Sequence, residues 1–205
     1  NAVVKNVTVD AQIYLHKGTS TMVGAIAGYS SNAIIDSCEV KGNIESTVDK
    51  GNNFVAGVVG FLYKGAVINT SSAANVKSVA QGSVAEAGGI TALNNRALIA
   101  QCYTTGDVYA SADRDEEGMA APGGLVGVQA GSLVNSVAYG NVSAGEYSFY
   151  TGMLCGWVTG IGKVYQCYYN KEAKMKIGDQ VPDPVVDIGT AVGAGVNDEG
   201  EKYKG

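Results

Sequence analysis

Four cysteines, one histidine and a short run of acids are the side chains here whose types suit nucleophilic or metal chemistry. Cys38, Cys102, Cys155 and Cys167 stand 64, 53 and 12 residues apart, which matches none of the paired spacings that wrap a zinc ion. In a secreted chain they are compatible with disulfides. A Cys155 to Cys167 bridge stays open, and buried free thiols are the simpler expectation. His16 lies in IYLHKG with no serine or cysteine pattern around it that would pair a nucleophile with a base, so it reads as a surface histidine. The insertion ADRDEEGMAAPGG sets Asp113, Asp115 and Glu117 before Gly118 like the opening of a calcium loop. The bidentate Glu that should close such a loop is replaced by Gly124. A solvated loop is therefore expected, with calcium as the minor alternative and no cofactor.

Sugar-cleaving sites need a pair of acids, or an acid-bound cation beside a base, on one face. Asp36 is the acid to test, because Asn69, Ala100, Asn135 and Tyr165 fall at or near equivalent places and none is a second carboxylate. HExxH, a phosphate-binding glycine loop and a nucleophile elbow are all missing from the sequence. The expectation is a chain that is not an enzyme. Twelve tyrosines against three phenylalanines and one tryptophan leave another chemistry open, since several aromatics cluster late in the chain. Tyr139, Tyr147, Tyr150, Trp157, Tyr165, Tyr168 and Tyr169 are the cluster, and Trp157, Tyr165 and Tyr168 are the candidate sugar-stacking residues. Tyrosine also favours strands for purely structural reasons.

What would position these residues is a β-structure. Glycine occurs 29 times and proline 3 times, charged residues make up only 16% and hydrophobic ones 46%. Short runs of Val, Ile, Thr and Tyr are bounded by Gly, Asn and Ser, without a helical period. A net charge of -5, with only Arg96 and Arg114 as arginines, gives no footprint for a phosphate backbone. No apolar run is long enough to span a membrane, so neither nucleic acid nor membrane insertion is expected. The opening NAVVKNVTVD lacks the charge and apolar stretch of a signal peptide, and a start inside a repeat reads as a mature or excised piece.

The repeat appears when SCEVKGNI, from Ser37, is slid along the chain. NVTVDAQI from Asn6, NTSSAANV from Asn69, QCYTTGDV from Gln101 and NSVAYGNV from Asn135 match it, and QCYYNKEA from Gln166 begins it. Their second positions, Val7, Cys38, Thr70, Cys102, Ser136 and Cys167, are 31, 32, 32, 34 and 31 residues apart. Upstream of the later blocks lie VGAIAG, AGVVG, GGITA, GGLVG and GMLCG, each a short apolar strand. Each unit thus carries two marked strands and a variable third segment, and buries its apolar side only by stacking on its neighbours. This predicts an all-β, right-handed parallel β-helix of five to six coils of roughly 32 residues. At about 4.8 Å per coil the rod is on the order of 25 to 30 Å long. Small ladder side chains would stack where the coil turns narrowly.

Gly123-Gly124-Leu125-Val126-Gly127 followed by Asn135 to Val142 resembles the GLUG motif of bacterial surface proteins, over roughly residues 1 to 170. That family includes haemagglutinin-like adhesins and metallopeptidases that cleave immunoglobulin A, in which the repeats sit outside the catalytic domain. The resemblance implies a secreted or surface-attached bacterial protein and a spacing or adhesive role. Thr91 and Ala92 depart from the motif, and Ala74 replaces the glycine of Gly42, Gly106 and Gly140. Residues 1 to 169 are read as the solenoid and 170 to 205 as a cap and linker, with Val185, Val186 and Ile188 covering the last coil and residues 197 to 205 mobile. Three functions follow: a non-catalytic module that spaces or displays other domains of the same polypeptide, a carbohydrate-binding module using the late aromatics on a host or environmental glycan or protein, and a lyase or hydrolase fragment resting on Asp36.

Overall fold

The computed structural model describes residues 2–113, 118–146, 148 and 150–181. Among them the chain is all-β and winds as a β-solenoid of about 5 turns, with parallel strands about 32 residues apart. The predicted cover from Val185, Val186 and Ile188 and the final nine residues lie outside the described residues, as do Tyr147, Asp115 and Glu117.

Stacking follows the repeat alignment residue for residue. Thr8–Lys17 pairs with Glu39–Val48, which pairs with Ser71–Ala80, all three ten residues long and in unbroken register. In the later coils this strand divides, as in Tyr103–Thr104 and Val108–Ala112, around a GD or GN step. A short strand follows it in each of four coils, Thr21–Gly24, Asn53–Ala56, Val84–Gly88 and Met119–Gly123, and these four form a separate sheet. The chain then bends and returns through a third sheet holding Ala27–Ser31, Val59–Tyr63, Thr91–Ala100, Val126–Val134 and Cys155–Val158. A regular coil therefore has more strands than the two evident from the sequence, because the variable third segment is itself paired.

Alternation along each strand supplies the core. Val58, Ile90, Leu125 and Leu154 stack in one buried column, and Ile35, Val67, Ile99 and Leu133 in another. Ile44, Val76, Val108, Val142 and Met175 form a third. Met175 shows that pairing runs past residue 169: Met175–Ile177 lies beside Val142–Ala144. A two-residue insertion after Tyr169 hides this coil from the repeat pattern, since Met175 is eight residues beyond its ladder residue where Val108 and Val142 are six.

Behind the short-strand sheet lies a thinner layer. Gly28, Gly60, Gly127 and Gly156 of the returning sheet come so close to the short strands that a β-carbon on any of them would strike backbone atoms of Met22, Val23, Ala121 or Pro122. Phe54, Ala92 and Leu93 fill this layer.

Candidate functional site

Two kinds of position emerge around the coil: those that repeat in every turn and those that break the repeat. The ladder belongs to the first kind. Just before each ladder residue the backbone enters the left-handed region, at Asn6, Ser37, Asn69, Gln101, Asn135 and Gln166, with φ between 48 and 56°. Cys38, Thr70, Cys102, Ser136 and Cys167 are buried behind these corners. Each donates to the carbonyl two residues back: the Thr70 and Ser136 hydroxyls to Ile68 and Val134 at 2.8 Å, and the thiols to Asp36, Ala100 and Tyr165 at 3.4, 3.3 and 3.2 Å. The four after Cys38 also accept from the preceding coil: the Cys38 N–H reaches Thr70 Oγ1 at 3.3 Å and the Cys102 N–H reaches Ser136 Oγ at 3.1 Å. The Thr70 and Ser136 backbones likewise bond the Cys102 and Cys167 sulfurs. The ladder thus selects a short side chain that both donates and accepts, and cysteine serves as more than a small apolar filler.

All four cysteines carry buried thiols without a disulfide, Cys155 and Cys167 included. Burial pushes the Cys102 thiol up to about 12 and that of Cys167 to about 11, so at neutral pH neither is a nucleophile. Asp36 is held down at about 2, first by its hydrogen bond with Lys5 and then by those from Asn69 and Ser37. Its register partners are Lys5 and Ile68, and Asn69 and Asn135 stand one position on, at the left-handed corners. Among the described residues no second carboxylate joins it. His16 is exposed on Thr8–Lys17 and lies 2.8 Å from Asp49 one coil away. Asp113 is exposed, and among the described residues no three His, Cys, Asp or Glu side chains gather as a metal site.

The candidate aromatics are dispersed. Trp157 pairs beside Val128 on the returning sheet and stacks on Tyr150 with centroids 5.1 Å apart. Tyr165, 55% exposed, lies at the far end of that sheet beside Val134, and Tyr168 is half-buried on the long-strand sheet beside Val137. Tyr165 and Tyr168 flank one corner, and Trp157 stands apart from both.

A repeat-breaking position builds the cleft that the sequence reading did not single out. Midway along the returning sheet is a second left-handed corner, at Asn32, Lys64 and Arg96 with φ of 52, 53 and 58°. In the next coil the pairing skips from Ala130 to Ser132, so Gly131 alone stands opposite Arg96 and Ala97. A β-carbon at Gly131 would strike the Ala97 carbonyl and come within 2.7 Å of Asn94 Oδ1. The missing residue opens a groove of about 520 Å³ lined by Arg96, Leu98, Gly131, Ser132, Ile161 and Lys163. Another of about 570 Å³ shares Arg96 and Ile161 and adds Tyr63, Asn95 and Thr159.

The floor beneath is rigid. Asn94, fully buried, accepts the Ala97 N–H at 3.2 Å and donates to the Ala97 carbonyl, clamping the Arg96 corner. It also donates to Gln129 Oε1 at 2.9 Å, and Gln129, equally buried, donates to the Lys163 carbonyl at 3.1 Å. One pair of buried amides thereby fixes the backbone under both cations. The signal was present in the spacing: from Gly24, Ala56, Gly88, Gly123 and Gly152 to their ladder residues the separations are 14, 14, 14, 13 and 15.

One further acid sits inside. Glu86 is 5% exposed in the layer behind the short strands, in register with Phe54 and Ala121, and its Oε2 has no hydrogen-bond partner. Burial drives its carboxyl well above the ordinary range.

The sequence matches no protein-family model and no curated protein. In structure the chain is similar to a putative immunoglobulin A1 protease from Bacteroides ovatus, solved by crystallography, with a TM-score of 0.58 and 18% identity over 94% of this chain. It spans 65% of that protein's length. The likeness is one of fold. Among the described residues no helix is long and apolar enough to cross a membrane.

Proposed function

We propose that this chain is a non-catalytic β-solenoid module of a larger secreted or surface-attached bacterial protein, spacing or displaying the other domains of that polypeptide. The observation that carries the reading is the continuity of the stack: three sheets and the corner ladder tie each coil to the next, giving a short stiff rod. The GLUG-like repeat and the architecture shared with a bacterial protein named as a protease support it. Placed between two fluorescent domains, the chain is expected to hold them at one narrow distance until it unfolds cooperatively; a broad distance distribution would speak against a spacer. Product release from any polysaccharide, lost in Asp36→Ala, would establish an enzyme instead.

A carbohydrate-binding role is the second reading, favoured by the Tyr150–Trp157 stack and the exposed Tyr165 ring. Because the structure separates these residues, Trp157→Ala, Tyr165→Ala and Tyr168→Ala should be tried singly on a glycan array.

A further inference from the structure

We infer that the groove at the Arg96 corner binds an anionic oligosaccharide, with Arg96 and Lys163 taking the carboxylate or sulfate and Tyr63 and Ile161 the sugar face. The inference goes beyond the spacer reading and does not depend on the late aromatics. Charge is the first argument. The last four returning segments, 59–68, 91–100, 126–134 and 155–165, contain Lys64, Arg96 and Lys163 and no aspartate or glutamate, in a chain whose net charge is -5, and the one acid of the first, Asp36, is held by Lys5. These three cations make no ion pair among the described residues, whereas Lys5, Lys41 and Lys77 each hold an acid. Lys64 lies over the Tyr63 ring instead, 5.1 Å from its centroid.

Backbone geometry is the second. Arg96 stands at a left-handed corner, which Asn32 and Lys64 occupy in the two coils before it, and its side chain is exposed. The third is construction. Gly131 opens the groove, and the buried Asn94–Gln129 pair fixes both of its cationic walls, so that the side chains are presented on rigid backbone.

A sugar fits better than an acidic peptide. Each groove is of small-ligand size, and an extended peptide would seek a free strand edge for its backbone, whereas the strands that carry Arg96 and Gly131 are paired on both sides and only the three-residue Lys163–Tyr165 strand is paired on one side among the described residues. The exposed Ile161 and Leu98 give apolar contact for a ring face, and Asn95, Ser132 and Thr159 give hydrogen-bonding groups for hydroxyls. An arginine fork receives a carboxylate or a sulfate through paired N–H donors.

The test is calorimetric titration of the full chain with short oligogalacturonate, with a sulfated galactan oligosaccharide, with neutral galacto-oligosaccharide and with a glutamate oligopeptide. Binding of either acidic sugar, absent for the neutral one and weakened by salt, is expected. Arg96→Gln should weaken it about tenfold or more, and Lys163→Gln should act in the same direction, while Trp157→Ala and Tyr165→Ala leave it unchanged. Gln101 and Gln166 already occupy left-handed corners, so Arg96→Gln is expected to fold, with unaltered thermal unfolding as the control. Whichever acidic sugar binds more tightly identifies the anion. No binding of either at millimolar concentration, binding indifferent to Arg96→Gln, or equal binding of the glutamate peptide would overturn the proposal.

Discussion

The two kinds of corner in this solenoid treat polar groups in opposite ways. At the ladder corner each hydroxyl or thiol between Cys38 and Cys167 donates to a carbonyl of its own turn, and the backbone N–H groups are received by the next coil. Elsewhere the repeat loosens: on the returning sheet a residue is lost at Gly131 and Arg96 makes no ion pair among the described residues, and on the short-strand sheet Glu86 is buried with an oxygen unpaired. Repetition satisfies the ladder's hydrogen bonds, whereas among the departures from it the buried Asn94–Gln129 pair is satisfied and Glu86 is not.

Thr70→Val breaks the regular side most. The substitution keeps the shape but removes the hydroxyl that serves both the Ile68 carbonyl and the Cys38 N–H, leaving two buried backbone groups without that partner. A loss of about 2 kcal/mol in chemical denaturation is expected. Thr70→Cys should recover most of it, because Cys102 and Cys167 perform the same service in their coils. Equal stability of the valine variant would reduce the ladder to simple packing.

On the irregular side Glu86→Leu should stabilise. Its desolvated carboxyl binds its proton more tightly folded than unfolded, so stability is fully present below the ordinary glutamate range near 4.5 and is lost as pH rises through the folded value. The strands packed against it carry two basic side chains, Lys77 and Arg96, both exposed, and no charge offsets the burial. A gain of about 1 to 2 kcal/mol at neutral pH that disappears near pH 4 is the expected outcome. Denaturation curves of wild type and variant that run parallel across this interval would show that a hidden partner satisfies Glu86.

A smaller effect is expected on the outer surface of the regular side. Gln12, Asn43, Asn75, Asp107 and Asn141 form a second ladder, in which Asn75 donates to Asn43 at 3.1 Å and accepts the Asp107 N–H at 3.1 Å. Being exposed, its bonds compete with water, so Asn75→Ala should cost about 0.5 to 1 kcal/mol, read as a shift in denaturation midpoint with unchanged slope.

Much of the fold is legible in the sequence because stacking imposes it locally. The blocks from Asn6, Ser37, Asn69, Gln101, Asn135 and Gln166 align in sequence as their strands pair in space, and the GGLVG-like elements align the same way. The groove is not legible by inspecting motifs, since Arg96 and Lys163 are 67 residues apart and neither lies in a repeated block. What brings their walls together is one absent residue, visible only as a shortened interval. Glu86 escapes notice for a related reason. Its strand alternation puts it on the side away from the main core, and only the glycine-mediated approach of the returning sheet buries it.

Asp36 provides the finest comparison with Glu86, because two acids of one chain are shifted in opposite directions. Asp36 gains Lys5, Asn69 and Ser37 as partners, and its folded value of about 2 lies below the ordinary 3.8. It therefore stabilises the fold above that ordinary value and loses its contribution as pH falls through about 2, the mirror of Glu86. NMR titration of the Asp36 carboxyl should place its midpoint near 2 in the wild type. Lys5→Ala should raise that midpoint most and Asn69→Ala less, following the order of their hydrogen bonds. Lys5 comes from the first coil and Asn69 from the third, so the titration also reports how firmly three turns are held in register. A midpoint near 3.8 in the intact chain would mean that the first coil separates from the stack in solution.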